Sequence, residues 1–200
     1  KVVINDLLFD TNPKIISGGL RSNFNFLIKN INAQSSRSER YKEDESYRVI
    51  SLMQYNLSYP LLKKTENYKN SLKPMMAVKL SPNNTKNIQD EDRRLDIANI
   101  YTLNRIGSED NIEEGASLTY GFEYLKSNKA DKDILGVSLA NVLRVKESDT
   151  LPNQSSLGDK TSDIVGNLTY SPNNFLNLEY DFLLDNNLND NNYQSISSEF

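Results

Sequence analysis

The side chains that could do acid–base chemistry in this 200-residue chain are carboxylates, because it contains no His and no Cys. Without imidazole or thiolate there is no Ser-His or Cys-His nucleophile pair, no soft metal site and no disulfide frame. Glu179 and Asp181 stand two residues apart, on one face of a strand, where a general acid and its base could sit. The same spacing makes a polar lining, and nothing around them marks a substrate pocket. Asp90-Glu91-Asp92 with Asp96 offers the hard oxygen ligands that a divalent cation accepts. It lacks the glycine and spacing of a calcium loop, so a solvated charge run is the plainer reading. Gly18-Gly19 is too short a motif to cradle a phosphate. The Asn-x-Ser/Thr triplets at Asn56, Asn83, Asn153 and Asn167 are expected by chance in so Asn-rich a chain. No catalytic, cofactor-binding or metal-binding set is expected, and no enzyme activity.

The elements that carry these side chains read as strands, since apolar residues recur at every second position. Ala116, Leu118, Tyr120, Phe122 and Tyr124 share one face, with Ser117, Thr119, Gly121 and Glu123 on the other. Leu176, Leu178, Tyr180, Phe182 and Leu184 oppose Asn177, Glu179 and Asp181. Leu72, Pro74, Met76, Val78 and Leu80 oppose Ser71, Lys73, Ala77 and Lys79. Similar runs cover 20–31, 47–59, 135–145, 164–170 and, more loosely, 193–200. About eight strands result, as counted from period-2 alternation, and residues 1–19 are open between strand and linker. The runs exceed the five or six residues usual in soluble sheets and suit tilted membrane strands, which need about 9–11.

The connections alternate in character too. Those at 33–46, 81–113 and 147–160 are long and polar, whereas 127–133 and 171–174 are short; 60–70 and 185–192 complete the set. Ser171-Pro172-Asn173-Asn174 reads as a hairpin turn, because Pro presets one φ angle and Asn tolerates the left-handed region. Long loops at one end and short turns at the other are the plan of outer-membrane barrels. With 171–174 on the periplasmic side, parity puts 81–113 and 147–160 outside. Lys73, Lys79, Glu123, Arg144, Glu179 and Asp181 would then face a water-filled lumen, and the apolar alternates would face lipid. Tyr55, Tyr59, Tyr120, Tyr124, Tyr170 and Tyr180 would suit interfacial girdles. Arg in place of Tyr120 or Leu178 should then impair assembly more than Arg in place of Thr119 or Asn177. A soluble sandwich, whose apolar face is a protein core, has the same periodicity, so alternation leaves both open.

Composition narrows the field further. Hydrophobic residues make up 37%, enough for a sheet with one apolar face and one wet face. With 23 basic and 27 acidic residues, a net charge of −4 argues against nucleic acid as a partner. The chain opens on Lys1 with no signal peptide, so it is expected to be a piece of a longer one.

From residue 59 onward the residues form an ordered set: Tyr59-Pro60-Leu61, Leu72-Lys73-Pro74, Leu80-Ser81-Pro82-Asn83 and Asp96-Ile97-Ala98-Asn99-Ile100-Tyr101. Asn104-Arg105, Asp110, Ile112-Glu113, Gly115 and Tyr120-Gly121 follow. Gly136-Val137-Ser138-Leu139 and Ser162-Asp163-Ile164-Val165-Gly166 close the set. It resembles the LptD (OstA) family of lipopolysaccharide-assembly proteins, departing from the family's pattern at Gly107-Ser108, Asn111 and Ala140-Asn141. Residues 1–58 add little. The resemblance implies an all-β, antiparallel transmembrane barrel domain of which residues 1–200 are one segment, with long polar loops on one side. It implies that lipopolysaccharide is inserted into the outer leaflet of a Gram-negative outer membrane, with lateral exit of the lipid. It implies as partners lipopolysaccharide itself, an LptE-like plug lipoprotein, a periplasmic Lpt bridge and outer-membrane lipid, and no cofactor.

The motif positions that this resemblance singles out are Asn99, Tyr101, Asn104, Arg105, Asp110, Glu113, Gly115, Tyr120 and Gly121. Gly115 and Gly121 lack a Cβ and suit a bend or a close backbone approach. Arg105 is expected to pair with Asp110 or Glu113 and fold the loop over the lumen. A general porin and a soluble glycan-binding β-protein are the alternative readings.

Overall fold

The computed structural model describes residues 1–34 and 46–200. The expected connection at 33–46 falls largely outside the described residues. The strands are β1 (Val2–Asp10), β2 (Lys14–Ile15), β3 (Arg21–Ala33), β4 (Ser46–Ser58), β5 (Leu61–Lys64) and β6 (Tyr68–Ser81), then β7 (Gly115–Asn128), β8 (Asp133–Arg144), β9 (Ile164–Tyr170), β10 (Asn177–Leu184) and β11 (Asn191–Glu199). They form one open sheet in the order β1-β3-β4-β6-β7-β8-β9-β10-β11, with β2 on β3 and β5 on β6. Every pairing is antiparallel. Among the described residues there is no α-helix, only 3-10 turns at Ser17–Gly19 and Asn153–Ser155.

The all-β reading and the strand phases match the sheet. The count differs, because β1 is a full strand that alternation does not reveal. Its ladder with β3 turns Val2, Ile4 and Leu8 to one side and Val3, Leu7 and Phe9 to the other, so apolar residues lie on both faces. β2 and β5 are too short to carry a period.

Pro74 sits inside β6 without costing a ladder bond. Its carbonyl accepts from Tyr59 N at 3.0 Å, so its missing N–H falls on that same side, where the chain breaks between β4 and β5. The turn between β9 and β10 is tied by Asn173 Oδ1, which accepts from Phe175 N and Leu176 N, both at 2.9 Å.

The sheet leaves large apolar side chains uncovered on one face and seats its connections on the other. Tyr47, Val49, Tyr55, Val78, Leu80, Tyr120, Leu168 and Tyr170 stand exposed on one face, Val78 at 47% and Tyr120 at 44%. A contiguous apolar band of this kind marks a surface built for an apolar partner. The core lies on the other, polar face, under the connections 82–114 and 145–163. Ile88, Leu95, Ile100 and Ile106 pack there with Leu151 and Leu157 on Ala140, Val142, Val165 and Leu183. Ile112 packs separately on Leu27, Ile31, Ile50 and Leu52. Each such side chain stabilises the seat by about 1.5–3 kcal/mol before ordering entropy is subtracted.

This seating corrects two expectations. The connection 81–113 is not simply a polar lid, because its isoleucines are its anchors. Lys79 and Arg144 are not in lumen water, since 2% and 6% of their surfaces remain exposed beneath the connection. Lys73, Glu123, Glu179 and Asp181 lie on the same inner face and are only partly covered.

Candidate functional site

Three adjacent strands prepare the seat. Register aligns Lys79 of β6 with Ser117 of β7, and Ser117 with Arg144 of β8, so two long cations flank one small hydroxyl in a single row. The next inner-face residues of β7 are Thr119 and Gly121. A run of small side chains thus makes a trough along the middle strand, and the connection 82–114 drops into it.

Glu113 is the hub. Arg105 reaches it through both prongs, Nε to Oε2 at 2.6 Å and Nη2 to Oε1 at 2.5 Å. Arg144 Nη1 donates to Oε1 at 2.6 Å, and Lys79 Nζ lies 3.6 Å from Oε2. Three buried cations therefore share one carboxylate. Their remaining N–H groups go to neutral acceptors: Arg105 to Thr119 Oγ1 (2.7 Å) and Ser117 Oγ (2.9 Å), Lys79 to Thr102 O (3.0 Å), Arg144 to Glu114 O (2.8 Å). A buried charge is tolerated only when it is both paired and fully hydrogen-bonded in this way.

Electrostatics at Glu113 follow from this packing. Burial on its own pushes the carboxyl up. The charges of Arg105 and Lys79, the Arg105 hydrogen bonds and the charge of Arg144 outweigh it and hold the group at about 2 instead of 4.5. A depressed carboxyl contributes stability that is complete above its unfolded value and lost as pH falls through the folded one. The connection is therefore expected to stay resistant to pepsin at pH 4 and to open only as pH approaches 2. Opening already at pH 4 to 5 would show that Glu113 is not the hub.

The other motif residues hold the connection's shape. Asp96 and Asn99 cap each other: Asn99 N donates to Asp96 Oδ1 at 2.7 Å, and Asp96 N to Asn99 Oδ1 at 3.0 Å. Asn104 Nδ2 donates to Ser108 O at 2.7 Å. Asp110 pairs with Lys86 at 2.9 Å, not with Arg105. Gly115 takes φ +78° where the connection re-enters the sheet. Tyr101 lies over Gly121, and a Cβ there would come within 2.6 Å of its hydroxyl. Burial pushes the Tyr101 phenol above its ordinary range, and its Oη has no partner.

Not every expected residue joins the seat. Tyr120 points to the opposite, exposed face. Lys73 pairs with Glu123 at 3.3 Å further down the inner face. Glu179 and Asp181 share Asn167 Nδ2, at 2.8 Å each, on the β9–β10 side. In the acidic run, Glu91 pairs with Arg93 and Asp92 with Arg94. Thr119, expected to tolerate Arg, is 1% exposed and bonded to Arg105, so it does not suit that comparison. Sequence reasoning passed over Ser117, Thr119 and Gln54. The signal was the run of small inner-face residues Ser117, Thr119 and Gly121 between strands bearing long ones.

The LptD family model, described as LPS transport system D, matches residues 20–200. No curated protein matches the chain.

Proposed function

The chain belongs to the LptD family, and from that premise we propose that residues 1–200 form part of the wall of one outer-membrane barrel domain that moves lipopolysaccharide to the cell surface. The observation that carries the reading, beside the family match, is the division of the sheet into an exposed apolar face and a polar face with a long connection seated on it. The apolar face meets membrane lipid, where tilted strands of 12 to 14 residues such as β3, β4, β6, β7 and β8 are long enough to cross. The polar face lines the lumen through which the sugar part passes, while the lipid leaves sideways into the outer leaflet. The seated connection 82–114 narrows that lumen from the end where 145–163 also emerges. An LptE-like plug lipoprotein and a periplasmic Lpt bridge are the partners this role requires. The function is transport and assembly without catalysis.

The test depletes the parent chain in its Gram-negative host and complements it with variants. Wild type and Asn177→Arg restore lipopolysaccharide at the surface, because Asn177 is exposed on the polar face. Tyr120→Arg fails to assemble, since Tyr120 is the sixth of the 14 residues of β7, nearer mid-depth than the girdle expected for it, where a lipid-facing cation costs about 2–4 kcal/mol. Loss of small-solute uptake alone, with surface lipopolysaccharide intact, would favour a pore over a transporter.

A further inference from the structure

We propose that a cleft on the inner face of β3, β4 and β6, beside Tyr101–Leu103, is a subsite for an uncharged sugar ring; the proposal rests on the transport reading above. The cleft holds about 460 Å³, within the roughly 300–1,000 Å³ of small-molecule sites. Amides make up half of its polar walls, Asn23, Asn25, Gln54 and Asn56, beside Asp10, Ser58, Lys73 and Thr102. Register sets Asn25 opposite Gln54 and Asn23 opposite Asn56, so the four form a block across two strands.

The amides are chained to one another and to little else. Asn23 Nδ2 and Asn56 Nδ2 both donate to Asn25 Oδ1, at 3.0 and 2.7 Å. Asn25 Nδ2 donates to Asp10 Oδ1 at 2.5 Å. Gln54 Nε2 donates to Asn56 Oδ1 and to Tyr101 O, both at 2.7 Å. Each of Asn23, Asn25 and Asn56 thereby uses one N–H and keeps a second. Gln54 is 2% exposed, and its Oε1 is buried with no hydrogen-bond partner. A buried acceptor left unmade is costly, but Oε1 is closed off from the cleft, so the groups a ligand meets first are the spare N–H groups of the half-buried Asn23, Asn25 and Asn56.

The chemistry of the walls selects the ligand. Spare amide N–H groups suit the oxygens of hydroxyls, which accept from them without carrying charge. The one cation nearby, Lys73, is already paired with Glu123 at 3.3 Å, and Asp10 adds a negative charge that accepts from Asn25. A phosphate or carboxylate finds no unpaired cation there, and an acyl chain would strand the amides. Leu8, Met75 and Leu103 offer the apolar surface that the C–H face of a sugar ring covers.

The experiment uses the full-length protein in detergent and, as probe, the oligosaccharide released by mild acid from the host's purified lipopolysaccharide. Saturation-transfer NMR reads which sugar protons touch the protein. Transfer is expected on uncharged rings, and it should fall about fivefold or more in Asn25→Leu/Asn56→Leu, as loss of direct hydrogen bonds predicts. Asn177→Leu, on the same face away from the cleft, keeps it. Should the double variant fail to fold, Asn23→Ala, at a half-buried position that donates only to Asn25 Oδ1, replaces it, with a smaller loss in the same direction expected. Transfer unchanged by these substitutions, transfer confined to phosphate- or carboxylate-bearing rings, or no transfer at all overturns the subsite. Surface lipopolysaccharide restored without oligosaccharide binding sinks the cleft and leaves transport standing. Binding without any need of the parent chain for surface lipopolysaccharide does the reverse.

Discussion

In the Glu113→Gln variant of the parent chain, residues 82–114 become open to protease and the folded barrel loses resistance to heating in detergent, at a cost of about 3–5 kcal/mol. The amide keeps the volume of Glu113 and removes its charge. Arg105, Arg144 and Lys79 then lie at 2.5, 2.6 and 3.6 Å from a neutral group, with no water to solvate them. One N–H pair of the new amide also faces guanidinium donors. Glu109→Gln, on the exposed side of the same connection, is the matched control and should shift stability by no more than about 0.5 kcal/mol. The two are compared by limited proteolysis and by gel mobility with and without boiling. If both variants remain protected, the three cations find their balance elsewhere and the seat has been misassigned.

The second large effect is expected at Gly121. A Cβ there would stand 2.1 Å from Leu139 O, 2.6 Å from Tyr101 Oη and 2.8 Å from Ala140 Cα. Two of these neighbours are backbone of β8, so even Ala forces β7 and β8 apart, at about 3 kcal/mol or more. Gly136 is the instructive comparison. Its nearest obstacle is Thr169 Oγ1 at 2.4 Å, a side chain that can rotate away, so Gly136→Ala should cost only about 1 kcal/mol. Tyr101→Phe removes a hydroxyl that bonds to nothing and is expected to be neutral alone. Combined with Gly121→Ala it should rescue only in part, because the clash with Leu139 O persists. Full rescue would mean that the phenol, not the strand backbone, sets the limit.

Much of this architecture is readable from residue order, and the exceptions have physical causes. The phases of β4, β6, β7 and β10 follow from period-2 alternation, because one face of each stays apolar along the strand. β1 escapes that logic, since Val2, Ile4 and Leu8 face inward as apolar residues while Val3, Leu7 and Phe9 face outward. The buried role of the β6–β7 connection escapes it for another reason. Ile88, Leu95, Ile100 and Ile106 sit at irregular intervals in a polar stretch, and no local period announces that they share one floor while Ile112 takes another. Arg105 and Glu113 are legible as partners by charge and proximity. That Lys79 and Arg144 complete the set depends on strand register, which aligns residues from β6 and β8 on either side of Ser117.

The seat also orders events in time. Arg105 and Glu113 are eight residues apart, and Thr85 Oγ1 donates to Ile112 O across the neck of the same excursion. Thr119, Ser117 and Lys79 belong to the two strands that flank it. Most partners in the Glu113 ion-pair cluster therefore lie within a single hairpin, and short sequence separations close fastest. Among the described residues of that cluster, Arg144 arrives later, with β8. A barrel assembled strand after strand would carry this hairpin with its charges already paired, and β8, β9 and β10 would then bring Arg144 and the apolar floor that lock it.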